Sequence, residues 1–203
     1  MSDVKADTIR RLVDEGARIL ADQGPAALSL RKVASAAGVS TMPVYTLFGD
    51  KRGFLAAMHR EGFRRLGVAL EAVPHDDDPM AYLGRLGFAY RQSALDGPHL
   101  YGLMFGHLVP DLSIDAEGEA AAEGAYRPLV LAVERAQAAG ALIGHDPQPI
   151  ALHLWAVAHG MVSLELNGQL PPIGPAEELY ATALMNAARP FFAVSVHGAD
   201  ASG

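Results

Sequence analysis

The chain has 203 residues, 50% hydrophobic and 19% charged, with no cysteine and a formal net charge of −7. This length and apolar content suffice for a sizeable core in one or two domains. The missing thiols exclude disulfides and thiolate metal sites and fit a reducing compartment. The opening MSDVKADTIRR lacks the apolar run of a signal peptide, and Gly, His, Glu or Arg interrupt every candidate for the ~18 apolar residues of a membrane span. A cytoplasmic protein without a membrane partner is expected.

The charge is unevenly distributed. Residues 1–75 carry 11 Lys/Arg against 8 Asp/Glu, a balance of +3, whereas residues 76–203 carry 5 against 15, a balance of −10. Such asymmetry suggests an anion-facing end attached to an acidic, solvated body.

The pattern is helical throughout, with no alternating β-branched runs and no hairpin turn, so an all-α fold is expected. Ile9, Leu12, Val13, Ala17 and Leu20 recur at the spacing of an amphipathic helix, which Gly24-Pro25 stops. Ser29 caps a second helix to about Ala37, with Leu30, Val33, Ala34 and Ala37 facing inward. Gly38 ends it and Ser40 caps a third, TMPVYTLF. Pro43 is tolerated there because, three residues after a cap, its missing N–H has no intrahelical partner to lose. Val44 and Phe48 point to the core; Met42 and Thr46 lie opposite, flanked by Pro43 and Tyr45. Gly49 ends this helix, and Asp50 caps a fourth beginning at Lys51. Two short helices joined by a tight Gly turn, the second with an outer face free of acidic groups, form a helix-turn-helix.

These residues carry a family resemblance. From Thr8 to about Leu55 the chain resembles the DNA-binding domain of TetR-type (tetracycline repressor-like) transcriptional regulators. The matching positions are Leu28, Ser29, Leu30, Arg31, Val33, Ala34, Ala37, Gly38, Val39, Ser40, Val44, Tyr45, Phe48, Lys51 and Leu55. One position departs: Leu47 stands where the family often has His or Tyr, which removes a polar phosphate contact and leaves the operator-facing set more apolar. Thr41, Met42 and Pro43 form the leading turn of the recognition helix, where Met and Pro can read bases only through apolar contact, as with thymine methyls. Tyr45, Thr46 and Lys51 suit phosphate contacts, with Ser29 and the amides opening helix two as a further anion site. Tyr45 taken alone would be read as a half-buried core tyrosine; the surrounding pattern favours phosphate. Arg31 and Lys32 are either phosphate contacts or solvated surface.

Beyond helix four, expected to run to about Val73, the HDDDP break at 75–79 leads into a second helical region. Helices are expected over 79–95, with Leu83, Leu86, Phe88 and Tyr90 at helical spacings, then over 98–105, 119–139, 149–168 and 175–193. A Pro/Asp-rich loop is expected over 109–119, and the tail HGADASG is expected to be disordered. The resulting division is a helix-turn-helix domain at 1–50, a connecting helix at 51–75, a helical effector-binding and dimerisation domain at 76–197 and a tail at 198–203.

The stretch LWAVAHGMVSLELNGQLP, with Trp155, His159 and Gly160, resembles the WHG-type C-terminal domain of some TetR-type regulators, as does GPHLYGLMFGH over 97–107. This resemblance implies ligand binding and homodimerisation. The last two helices are too apolar to face water, with Leu152, Ala156, Val162, Leu184 and Ala188 as candidate dimer contacts. Phe88, Tyr101, Met104, Phe105, Trp155, His159 and Met161 are candidates for an adaptable apolar cavity. They are equally the residue types of a plain core. The ligand expected is a small hydrophobic effector, uncharged or weakly anionic.

No cofactor or metal is expected. His153 and His159, six residues apart, lie roughly 240° around a helix, so they cannot chelate one ion from one face. His99 and His107 stand at opposite ends of a short helix. No GxSxG, Walker loop or GxGxxG occurs, and Asp76 to Asp78 reads as a solvated charge run, so catalysis is not expected. The reading is a homodimeric, ligand-responsive regulator, a repressor, binding double-stranded operator DNA through residues 29–51. The alternative is a helical small-molecule-binding module without DNA-binding activity.

Overall fold

Caps and breakers in the sequence account for most of the observed helix ends. A computed structural model describes residues 2–106 and 114–193. Within the described residues there are nine α-helices and no named strand: α1 Ser2–Gln23, α2 Leu30–Ala36, α3 Thr41–Phe48, α4 Lys51–Glu71, α5 Pro79–Asp96, α6 Pro98–Phe105, α7 Ala116–Ala138, α8 Pro147–Leu166 and α9 Ala176–Ala188. The Ser29 side chain accepts the Lys32 N–H at 3.3 Å, and Asp50 accepts the Gly53 N–H at 2.9 Å. Gly38 and Gly49 close α2 and α3 with φ of 67° and 71°, a region open to glycine without steric cost.

Several boundaries differ from expectation. Ser40 occupies the cap position of α3 but makes no side-chain cap hydrogen bond. Pro43 is the third helical residue and has no N–H to offer, which removes one of the two donors a cap serine uses. The stretch expected as a loop over 109–119 ends earlier: Asp115 accepts the Gly118 N–H at 2.8 Å and starts α7 at Ala116. Its first part lies outside the described residues. Helix α8 starts at Pro147, two residues before the expected point, because Asp146 accepts the Gln148 N–H at 2.9 Å. Helix α9 ends at Ala188 rather than continuing to 193: Pro190 cannot donate to the helix, and Arg189–Phe191 tighten into a 3-10 turn. The tail from 194 onward, including the expected disorder at 198–203, lies outside the described residues, as does His107.

The chain divides into two compact units, Met1–Ala72 with Gln92–Arg127, and Val73–Arg91 with Pro128–Gly203. The last boundary falls inside α7 at Pro128, which cannot complete the hydrogen bond to the carbonyl four residues earlier. In the first unit one core unites Leu12, Val13 and Leu20 of α1, Leu30 and Val33 of α2, Val44 of α3, Phe54, Leu55 and Met58 of α4, and Leu100 and Leu103 of α6. Helix α4, expected to be a connector, is thus an integral wall of this unit. Arg65 ties it to α1 through Asp14 at 2.6 Å and to its own Glu61 at 2.8 Å. Burial alone would raise the Glu61 carboxyl, but hydrogen bonds from Arg64 and Arg65 outweigh it and hold the group below the usual range.

In the second unit α8 and α9 pack together, and α9 also meets α5. A side chain at Gly87 would place its Cβ 2.5 Å from Leu184 Cδ1, so glycine lets the helices approach, and the Tyr180 hydroxyl donates to the Gly87 carbonyl at 2.7 Å. Arg91 and Glu165 form a two-pronged pair at 2.8 and 2.6 Å that is 12% and 15% exposed. Three expected dimer contacts turn inward here: Val162 and Ala188 are buried, and Leu184 fills the Gly87 notch. The outward apolar residues are Leu152, Ala156 and Leu164 of α8 and Met185 of α9. Because the few polar residues of α8 are scattered around it among apolar ones, periodicity alone could not choose its inner face.

Candidate functional site

The outer face of α3 is set by how little of that helix is buried. Val44 is its one fully buried side chain, assisted by Leu47 and Phe48 packing on the same core. The Phe48 ring meets Phe54 edge-on at 4.9 Å, and Phe54 reaches α1 where Gly16 leaves room; a Cβ there would lie 2.5 Å from the Phe54 ring. Helix α3 is therefore held against α1 and α4 through a short aromatic wedge. Leu47, expected on the operator side, is half-buried against the core, so its effect on the outer face is smaller than its position in the motif implied.

That leaves Thr41, Met42, Pro43, Tyr45 and Thr46 exposed together. Met42 is 74% exposed and Tyr45 47%, which removes the core-tyrosine reading. The face carries no charge, and the Thr46 hydroxyl donates to the Met42 carbonyl at 3.0 Å, leaving its lone pairs to accept. Arg31 is exposed on α2. Ser29 is committed to its cap, although the amides opening α2 remain. Lys51 donates to the Pro25 carbonyl, anchoring the turn between α1 and α2. With three donors, an ammonium can keep that bond and still meet a phosphate. Beside it, Arg52 is exposed and went unnoticed in the sequence, where it reads as one half of a basic pair.

The expected effector residues fall in both units. In the first, Tyr101 and Phe105 of α6 lie with ring centroids 4.8 Å apart, and Phe105 meets Phe63 of α4 at 5.3 Å. Met104 fills the notch left by Gly62, where a Cβ would lie 2.5 Å from its sulfur. In the second, Phe88 is 37% exposed and meets Tyr180 edge-on at 5.7 Å, Met161 is half-buried, and Trp155 lies 5.9 Å from His159. Both nitrogens of His159 have neighbours: Nδ1 lies 3.2 Å from the Tyr90 hydroxyl and Nε2 3.5 Å from the Ser163 hydroxyl. Burial pushes its pKa down, so the neutral imidazole is favoured.

A different histidine stands out. His59 of α4 is 7% exposed, and its Nδ1 is buried with no hydrogen-bond partner among the described residues. Burial lowers its pKa, partly opposed by Asp115. An orphaned buried polar group costs about 1–3 kcal/mol. In the sequence this residue sits in AAMHREGF, where nothing distinguishes it from surface. Among the described residues, no group of acidic, His or Cys side chains is arranged to hold a metal ion.

Residues 12–58 match the family model "Bacterial regulatory proteins, tetR family", and residues 83–187 match "Tetracyclin repressor-like, C-terminal domain". No curated protein matches the sequence. Among solved structures, the chain is similar to a protein of unknown function from Rhodococcus sp. RHA1, at 31% identity over 91% of this chain and 95% of that one, with a TM-score of 0.77. A TetR family transcription regulator from Marinobacter aquaeolei VT8 shares 20% identity over 95% and 100%, with a TM-score of 0.74. The TetR family transcriptional regulator PfmR from Thermus thermophilus shares 21% over 88% and 97%, with a TM-score of 0.68. With both family models matched in order and the helix-turn-helix in place, the chain belongs to the TetR family of bacterial DNA-binding transcriptional regulators.

Proposed function

We propose that the protein is a homodimeric repressor that binds a palindromic operator through residues 29–51 and is released by a small hydrophobic effector. The observation that carries the DNA reading is the uncharged, exposed face of α3, Thr41 to Thr46, bordered by Arg31, Lys51 and Arg52. Side chains in the leading turn would meet base edges, with thymine methyls suited to Met42 and Pro43. Tyr45, Thr46, Arg31, Lys51 and the α2 amides of the Ser29 turn would grip phosphate.

One helix-turn-helix reads only a few base pairs, so specificity calls for two copies. Helix α8 supports self-association. Over its most apolar eighteen residues the mean hydropathy reaches 1.2, yet only 22% of that window is buried within one chain. Leu152, Ala156, Gly160 and Leu164 recur every four residues, and a Cβ at Gly160 would meet open space. An isologous pairing would set this stripe, with Met185, against its own copy. Candidate effector contacts are Tyr101, Met104 and Phe105 in the first unit, and Phe88, Trp155, His159 and Met161 in the second.

A gel shift against the DNA flanking the protein's own gene, repeated across salt concentrations, tests the proposal. Sequence-selective binding that weakens steeply with salt is expected. Absence of binding at low salt would favour the alternative of a ligand-binding module without DNA affinity.

A further inference from the structure

We propose that His59 is the hydrogen-bonding anchor of the effector site, that the first turn of α7 is the lid over it, and that the ligand is an uncharged aromatic compound bearing a hydroxyl group. The proposal rests on the ligand-responsive reading above and gives that ligand a chemistry and a place in the first unit.

The walls of the site are aromatic. The His59 ring lies 4.9 Å from Phe63, which meets Phe105 at 5.3 Å, and Phe105 meets Tyr101 at 4.8 Å. Flat apolar surfaces of this kind favour aromatic ligands through offset and edge-on contacts. The roof is the start of α7. A Cβ at Gly118 would lie 2.8 Å from Ile114 Cγ2, 3.2 Å from Asp115 Oδ1 and 3.6 Å from His59 Nδ1, so glycine lets the turn lie directly on the imidazole. With the turn in this place, Nδ1 is buried and has no hydrogen-bond partner among the described residues.

The latch is weak. Arg60 reaches from α4 to Asp115 at 3.3 Å and also to Glu117, but its side chain is 34% exposed and the two carboxylates 51% and 77%. Ion pairs this open to water contribute little. Opening the turn therefore sacrifices little and frees a polar nitrogen that is unsatisfied when closed. A hydroxyl both donates and accepts, so it can satisfy Nδ1 in either tautomer of the neutral ring. A carboxylate ligand is disfavoured, because Asp115 already presents negative charge beside the imidazole and Arg60 is engaged by two acids. The same α4 helix carries Phe54, which packs on Phe48 of α3. A ligand seated at His59 thus bears on the helix that holds the recognition element.

The test compares 4-propylphenol with propylbenzene, which differ only in the hydroxyl, on the full chain with 15N-labelled histidine. The expected result is a saturable change of the His59 Nδ1 resonance with the phenol alone. His59→Phe, which keeps the ring and removes the orphan nitrogen, should bind the phenol about fivefold more weakly, in line with one lost hydrogen bond, without weakening propylbenzene. Arg60→Met, which leaves His59 intact and cuts the latch, should speed phenol association in stopped flow. Equal affinity for the two probes, no binding of either at millimolar concentration, or an unmoved His59 resonance at saturation overturns the proposal. A gel shift of the wild-type chain without probe is scored separately. Loss of DNA binding there, with the His59 response intact, would refute the regulator reading and leave this one standing.

Discussion

Helices α3 and α8 both leave large apolar side chains in water, and their surroundings differ. On α3, Met42 is 74% exposed, with Arg31, Lys51 and Arg52 on the neighbouring helices and a balance of +3 over residues 1–75. On α8, Leu152 is 54% exposed, with no Lys or Arg anywhere in the helix and a balance of −10 over residues 76–203. An apolar face bordered by cations suits a polyanion whose base edges include methyl groups; an apolar face in an acidic body suits a surface like itself. On the proposed reading, the first is the face for DNA and the second the face for its copy.

The strongest way to break this contrast is a charge on the second face. Leu152→Arg should oppose two like charges across a pairing axis and weaken the dimer by about 3–5 kcal/mol. Sedimentation at micromolar concentration would then show monomer, and operator affinity would fall with it. A variant that remains dimeric places the interface elsewhere. The next effect belongs inside the second unit: Glu165→Ala leaves the mostly buried Arg91 with only the exposed Glu177, 4.0 Å away, and should lower stability by about 3 kcal/mol in chemical denaturation. A loss below about 0.5 kcal/mol would mean that the pair behaves as surface.

Much of the first face was legible in the sequence because each helix end there rests on local chemistry. Ser29, Gly38, Gly49 and Asp50 act within a few residues of themselves, and Val44 falls inward from spacing alone. The start of α7 was missed because its signal, Asp115 bonding to Gly118, sits in a stretch whose proline and aspartates read as loop. The face of α8 could not be phased, since a mostly apolar helix whose polar residues are scattered around it has little hydrophobic direction. Val162 turned inward and Leu164 outward, which spacing alone did not decide. His59 was invisible for a similar reason: Gly118, which lies against its ring, is more than fifty positions away.

Smaller effects sharpen the α3 side of the contrast. Arg52→Ala should make the logarithmic salt dependence of operator binding shallower by about one unit per half-site, weakening all operator variants alike. Lys51→Ala should do the same and also cost about 1 kcal/mol of stability, because it releases the Pro25 carbonyl. An unchanged salt slope in both variants would remove α4 from the phosphate contacts. Tyr45→Phe should weaken binding by about 1 kcal/mol without altering base preference.

The smallest effect is on pH. Burial lowers the pKa of both His59 and His159 below 6.5 in the folded chain. Below pH 6.5 the unfolded chain takes up protons that the folded chain refuses, so stability is unaffected above that value and declines as pH falls toward the depressed folded pKa values. Denaturation midpoints between pH 7.5 and about 5 should show the decline, and His59→Phe and His159→Phe should each remove part of it. A flat profile would mean that both rings stay accessible to protons.

The central claim, that two copies of α3 read one operator, is tested most directly by footprinting the DNA that flanks the protein's own gene. The account predicts two protected half-sites related by a dyad and spaced by about one helical turn or a multiple of it, with both lost together in Leu152→Arg. Protection of a single half-site that survives in Leu152→Arg, or no protection at low salt, would contradict it.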